Sequence, residues 1–315
     1  MRLRIIDTSS QPRSYRMPRP ARVLALLAVT TAIFAAGCGN ATEEDDARLR
    51  VVATIAPVGA LTQAVAGDTV RLDILVRAGV DPHEYELKAN DARAVAKAQV
   101  ILRNGLGTDA FLDKALKDSK ALVVTLTDGL ALRLEDGVAS RDPHIWHDPR
   151  NDIAMVDTIV KALSAADPAH AAIFEANGRA YQERLHTVDR EVQAIIDTIP
   201  MANRKMVTDH EAFGYFAARY GLTVVGSVIP GASTGVEPSA GEIATLVETV
   251  RREGVHAIFA ESSVDPKVAR RVAEETGMKV VDDLYGDSLG SPGSGADTID
   301  GMLLSNARKI ADALK

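Results

Sequence analysis

The chain has 315 residues, 46% hydrophobic and 25% charged, with a formal net charge of −7. These values suit a folded protein with a sizeable core, set a prior of two domains, and argue against a disordered or fibrous chain. The acidic excess argues against nucleic acid or anionic lipid headgroups as partners, and the single cysteine, Cys38, excludes an internal disulfide.

In chain order, the first feature is a targeting segment. Arg19 and Arg22 precede an apolar run over 23–36, and small residues then lead to Cys38. That run is short of the roughly 20 residues needed to span a bilayer as a helix, so it reads as a secretory signal. Residues 1–38 are therefore expected to be a signal peptide, with Met1 or Met17 as the start. The small residues before Cys38 resemble a bacterial lipobox, which implies acylation of Cys38 and a membrane tether through lipid. Residues 39–48, "GNATEEDDAR", read as a flexible, solvated spacer. Residues 1–37 hold six Lys/Arg and one Asp; without them the chain has 30 basic and 42 acidic residues, a net charge of −12. Such a surface suits an exported protein that handles cations or small molecules.

Eight short β-branched runs follow in two groups. The first is "VVATIAP" (51–57), "VRLDILV" (70–76), "AQVILRN" (98–104) and "ALVVTLTD" (121–128). The second is "KMVTD" (205–209), "LTVVGSVI" (222–229), "HAIFAES" (256–262) and "KVVDDLY" (279–285). Apolar runs of this length, separated by helix-period segments, predict parallel strands buried on both faces. Between the groups, Phe174, Tyr181, Leu185, Val188, Val192, Ile195 and Ile199 recur at helical spacing. They predict one helix over 167–200, about 30 residues and 45 Å long, with Gly178 as a weak spot. The expected domains are an N-terminal α/β lobe over 49–166, the linker helix over 167–200, and a C-terminal α/β lobe over 201–315.

The candidate chemistry sits in loops after predicted strands. His83 lies in "GVDPHEYE", His144 in "RDPHIWHDPR", His210 ends "KMVTDH", and Asp287 follows "KVVDDLYG". Ligands of open parallel sheets bind at the carboxyl ends of strands, so four loops could converge on one cleft between the lobes. Imidazoles plus a carboxylate suit zinc well and manganese less well. His83 and His144 both follow Asp-Pro, a rigid presentation of the ring. His147 could be a ligand, stand behind the ligands or line the rim of the cleft, Glu211 and Glu261 could stand behind the ligands, and Trp146 could exclude water beside His144. Plain core packing is compatible with that role of Trp146 and ranks ahead of any direct one, and a solvated strand end is an equal account of Glu261. His170, His186 and His256 read as caps or surface groups.

Taken together, "DPHEYELKANDARAVAKAQVILRNGLGTDAFLDK", "DPHIWHDPRN", "VTDHEAFGYFAARYGL", "GASTGVEPSAGEI", "IFAESSVDPK" and "LYGDSLG" resemble ordered motifs of one family. It comprises the metal-binding solute-binding lipoproteins of bacterial ABC transporters that import zinc or manganese. The resemblance covers nearly all of the chain after the signal. It implies two similar α/β lobes with parallel sheets, joined by one long rigid α-helix, with metal in the inter-lobe cleft. It implies His83, His144, His210 and Asp287 as the four metal ligands, a membrane permease as partner, a monomer, and a location on the outer face of the cell membrane. His at position 210, rather than Glu, points to Zn2+ ahead of Mn2+. The stretch 127–142 has no histidine, unlike the His-rich loop of many zinc-uptake members, and this leaves manganese open.

Three rival readings stand beside it. Gly105, Gly107 and Ala110 form a G-x-G-x-x-A turn after a strand, which imitates a dinucleotide fingerprint, but Asp109 within it would face the pyrophosphate. A secreted zinc hydrolase could use the same ligands with Glu211 or Glu261 as general base; against it, no HExxH pair is present. A surface adhesin is the third, with no motif of its own.

Overall fold

A computed structural model describes residues 47–132, 134, 135, 138, 139 and 141–315 of the chain. The expectations for the signal segment and Cys38 lie outside the described residues. The described chain begins with β1 (Leu49–Ile55), α1 (Ala56–Ala66), β2 (Val70–Val76), α2 (Ala89–Lys97), β3 (Val100–Arg103), α3 (Asp113–Leu116) and β4 (Leu122–Thr125). A two-residue-per-strand hairpin, β5 (Leu134–Glu135) with β6 (Val138–Ala139), precedes the helices α4 (Pro149–Ala166) and α5 (Ala171–Ile196). The second half runs β7 (Lys205–Thr208), α6 (Gly214–Tyr220), β8 (Thr223–Ser227), α7 (Ala240–Glu253), β9 (Ala257–Glu261), α8 (Lys267–Thr276), β10 (Lys279–Leu284) and α9 (Ile299–Leu314).

Each group of four predicted strands forms its own parallel sheet. The first has the order β2-β1-β3-β4 and the second β10-β9-β7-β8. Read from the other edge, the second order is second-first-third-fourth in its own chain sequence, so the lobes share one topology. Each reverses direction between its first and third strands, which opens a crevice at their carboxyl ends. The two crevices set the place of the site.

Local signals explain the element ends. Pro57 starts α1 and Gly67, at φ +54°, ends it. The Asp148 carboxylate accepts the Arg150 N–H at the start of α4, and Ser239 with Glu242 forms a reciprocal capping box on α7. The long helix is 26 residues, shorter than the roughly 30 predicted. A tight turn at Pro168–His170 occupies its expected start, and at its end the Thr198 hydroxyl donates to the Ile195 carbonyl ahead of Pro200. Its buried face is Phe174, Gly178, Leu185, Val188, Val192 and Ile196; of the predicted stripe Tyr181 and Ile195 are half-buried, and Ile199 is buried just beyond the helix end. Gly178 is a close-packing position: a Cβ there would lie 2.5 Å from Val160 Cγ2 on α4.

The largest core cluster joins both lobes. It takes Val51, Ala53 and Val100 from the first sheet, Met206, Ala257 and Phe259 from the second, and the buried faces of α1, α4, α5 and α9 between them. A second cluster lies under α7 and α8 of the C-terminal lobe, and a third under α2 and α3 of the N-terminal lobe. Each sheet is thus covered on both faces, and the lobes share one helical layer. Among the described residues, no helix is long and apolar enough to cross a membrane.

Candidate metal centre

His83, His144, His210 and Asp287 come together from the segments that follow β2, β6, β7 and β10. One potential donor atom from each lies within 4.8 Å of the others. His144 Nε2 is 3.3 Å from His83 Nε2 and 3.4 Å from His210 Nε2. Asp287 Oδ1 lies 2.9 Å from His144 Nε2, and Oδ2 lies 3.3 Å from His83 Nε2 and 3.2 Å from His210 Nε2. Both Asp287 oxygens lack an aligned hydrogen-bond partner among the described residues, so these are contacts of convergence rather than of hydrogen bonding. Three side chains are fully buried; His83 alone of the four keeps 7% of its side-chain surface.

The local sequence explains how each ring is aimed. In Asp81-Pro82-His83, Asp81 Oδ1 accepts the His83 N–H at 2.8 Å. In Asp142-Pro143-His144, Asp142 Oδ1 accepts the His144 N–H at 2.9 Å. Both are Asx turns, in which the proline fixes φ of the middle residue and the aspartate bends the chain toward the histidine. Asp142 Oδ1 also lies 2.7 Å from His144 Nδ1, so Nδ1 carries the proton and Nε2 faces the cluster. Asn104 steadies the same loop by donating to the Pro143 carbonyl at 3.0 Å.

In the C-terminal lobe, Asp209 Oδ1 accepts the His210 N–H at 2.8 Å and Oδ2 accepts the Glu261 N–H at 2.6 Å. Glu261 Oε2 in turn accepts the Asp287 N–H at 2.8 Å. Its Oε1 lies 2.8 Å from His210 Nδ1, close but too bent to count as a hydrogen bond. Asp209 and Glu261 thus tie three loops into one frame. Glu261, 1% exposed, is not a solvated strand end. It presses so closely on Gly286 that a Cβ there would fall 2.0 Å from Glu261 Cδ, which demands glycine before Asp287.

Trp146 is buried, edge-on to His144 with ring centroids 5.4 Å apart. Its Nε1–H donates to the Gly286 carbonyl at 2.9 Å, so it both packs the ring and fixes the Asp287 loop. His147 is buried but lies outside the cluster; its Nε2–H donates to the same carbonyl at 3.0 Å. Glu211 is a correction: its side chain is exposed, and its N–H donates to the Gly231 carbonyl at 3.1 Å, which turns it away from the rings. Asp81, Asp142, Asp209, Asn104 and Gly286 were missed as site residues. Only the repeated Asp-Pro-His offered a signal for two of them.

The electrostatics follow from burial and convergence. Burial pulls His144 down, but Asp287 and Asp142 outweigh it and raise the ring to about 9. His210 is likewise raised well above the usual value, with burial opposed by Glu261 and Asp287. Burial would raise Asp287, yet His144 and His210 hold it well below the carboxylate range. Burial lifts Glu261 to about 7 against the pull of His210. His147 drops to about 3, first through burial and then through the charge on His144. Without a metal, His144 and His210 therefore favour the protonated form beside an ionised Asp287, and a bound cation would take the place of their protons.

The dinucleotide reading fails on geometry. Asp109, fully buried, fills the glycine turn itself, accepting the Gly105 N–H at 3.2 Å, Thr54 Oγ1–H at 3.1 Å and Arg103 Nη2–H at 2.8 Å. The amide that a phosphate would use is taken by the chain's own carboxylate.

The sequence matches the family described as the periplasmic component A of the zinc-uptake complex over residues 51–313. The manganese ABC transporter substrate-binding lipoprotein PsaA of Streptococcus pneumoniae is 31% identical over 310 residues, spanning 95% of this chain and 99% of its own. The iron ABC transporter substrate-binding lipoprotein MtsA of Streptococcus pyogenes serotype M1 is 30% identical over 301 residues, spanning 92% and 96%. Among solved structures, the periplasmic zinc-binding protein TroA from Treponema pallidum aligns with a TM-score of 0.79 at 29% identity, over 85% of this chain and 99% of that one. With a family match across nearly the whole described fold, this chain belongs to the zinc-uptake component A family of ABC-transporter substrate-binding proteins.

Proposed function

We propose that the protein captures one divalent metal ion, zinc ahead of manganese, between His83, His144, His210 and Asp287, and delivers it to an ABC permease in the membrane. The observation that carries this reading is the set of five donor contacts of 2.9–3.4 Å that Asp287 and His144 make within the cluster. A tetrahedron with metal–donor bonds of about 2.0–2.1 Å has edges of about 3.3 Å. Three imidazole nitrogens and one carboxylate form a borderline-soft set that favours zinc. Asp287 turns both oxygens toward the rings; a bidentate carboxylate would raise the donor count, and that is the specific reason to keep manganese second.

Four protein donors support capture rather than hydrolysis, because catalytic zinc keeps a position open for water. The hydrolase also loses Glu211, which faces solvent, while Glu261 is engaged by the Asp287 N–H. No feature of the described residues favours an adhesin. The relatives named as ABC transporter substrate-binding lipoproteins support an exported chain held to the membrane through lipid and working beside a permease; in this reading Cys38 carries the lipid and the chain acts as a monomer.

The test is a titration of chelator-stripped protein with zinc and with manganese against competing chelators. The expected result is one tight zinc per chain, lost in large part in His210→Ala. Tighter manganese binding would reverse the metal order, and no tight site for either ion would overturn the reading.

A further inference from the structure

We infer that Thr234 and Ser288 form an inter-lobe latch that holds the His83 loop in place and sets the rate at which the ion leaves; this rests on the metal-capture reading above. The chain carries two copies of Asp-Pro-His, at 81–83 and 142–144. They make the same turn, yet their aspartates serve different masters. Asp142 Oδ1 serves His144 twice, accepting the backbone N–H and standing 2.7 Å from Nδ1. Asp81 divides its carboxylate: Oδ1 accepts the His83 N–H, and Oδ2 accepts the hydroxyl of Thr234 at 2.5 Å. Thr234 belongs to the loop between β8 and α7, in the opposite lobe.

A second bond crosses the same seam. The Gly79 N–H donates to Ser288 Oγ at 2.5 Å, and Ser288 follows the ligand Asp287 directly. Gly79 sits at φ +82° in a turn where the Val80 N–H reaches the Arg77 carbonyl at 3.1 Å. The loops also touch at Gly235, where a Cβ would stand 3.3 Å from Glu84 Oε1. The aspartate of the His83 turn is thus bound by the C-terminal lobe itself, whereas at His144 the cross-lobe bonds come from Trp146 and His147, which donate to the Gly286 carbonyl.

His83 is also the cluster member nearest solvent. It lines a cavity of about 350 Å3 together with Pro82, Tyr85, Phe111, Arg141 and Ser233, and the other three ligands do not. An ion leaving by the shortest wet route therefore leaves past His83. Hydrogen bonds weaken steeply beyond about 3.5 Å, so a lobe displacement of an ångström or so breaks both latch bonds together. The shared helical core restricts the lobes to small movements, and a latch of this kind makes a small movement sufficient. With Asp81 and Gly79 released, the loop carries His83 away and the ion keeps three ligands. Thr234 and Ser288 are positioning residues: neither belongs to the donor cluster.

Groups that hold a metal ligand from behind are typically worth about 10–100-fold in affinity. The test is stopped-flow release of zinc from the loaded full-length chain into excess chelator. Thr234→Val should release zinc about 10-fold faster or more, and the Thr234→Val/Ser288→Ala double variant faster still. The bound stoichiometry and the melting temperature of the metal-free protein should stay as in the wild type. Thr234→Ser, which keeps the hydroxyl, should restore slow release. A Thr234→Val rate within twofold of wild type, with one zinc still bound, would overturn the latch and leave metal capture standing. Equally fast release from Thr234→Ser would overturn it too, since packing and not the hydroxyl would then matter. A wild-type chain that holds neither zinc nor manganese would overturn the capture reading itself.

Discussion

At the scale of single residues, the site is governed by who faces each imidazole. His144 keeps Nε2 for the cluster because Asp142 takes Nδ1, and Glu261 stands 2.8 Å behind His210 Nδ1 as a charge without an aligned hydrogen bond. The raised rings make a pH prediction with a definite sign. His144 is lifted to about 9, so its pairing with Asp287 stabilises the metal-free fold fully below the free-histidine pKa of about 6.5 and fades as pH rises through about 9. Zinc needs the same nitrogens unprotonated, so uptake between those limits must expel protons. Calorimetric titration at pH 7.5 in buffers of different ionisation enthalpy should give apparent enthalpies that scale with the buffer. Identical enthalpies would mean that the rings are already neutral. His147 takes no part, being neutral at this pH; its depressed value removes stability only as pH falls below about 6.5.

At the scale of elements, α5 shows how a weak local signal becomes a packing device. A glycine inside a helix costs about 1 kcal/mol relative to alanine. Here it lets α5 approach α4 until Val160 Cγ2 occupies the space of a side chain. Val160 is β-branched and stiff on its helix, so it cannot swing aside cheaply. Gly178→Ala should therefore destabilise the protein by about 1–3 kcal/mol, as overpacking does, despite the gain in helix propensity. Urea unfolding of the metal-free protein checks this, and a stabilised variant would show that the α4–α5 contact yields. The spacing of Phe174, Leu185, Val188 and Val192 made the helix readable in the sequence, but the shift from Ile195 to Ile196 at its end was not. At that end the Thr198 hydroxyl donates to the Ile195 carbonyl ahead of Pro200, and Ile199 is buried beyond the helix.

At the scale of the molecule, the two sheets share a topology and a core. Periplasmic receptors that close by a wide hinge separate their lobes through water; here α1, α4, α5 and α9 fill the space between the sheets with buried side chains. Opening the cleft widely would expose that layer, at about 25 cal/mol for each Å2 of apolar surface. Small-angle scattering should therefore show nearly the same radius of gyration with and without zinc. A large compaction on loading would contradict the shared-core argument.

The sequence by itself determined the eight sheet strands, the long connecting helix and the four residues that meet between the lobes. Strand and helix periods are local, and Asp-Pro-His and the histidine closing "VTDH" are contiguous motifs at strand ends. What only the tertiary structure decided is how those residues are held. Asp81 reaching Thr234, Gly79 reaching Ser288 and Gly286 pressed on Glu261 are meetings between segments 25 to 209 residues apart. Glu211 shows the same limit from the other side: adjacent to His210 in sequence, it faces solvent because the backbone turns between them. Side-chain direction at a strand end depends on which distant backbone groups complete its hydrogen bonds, and pattern along the chain carries no record of them.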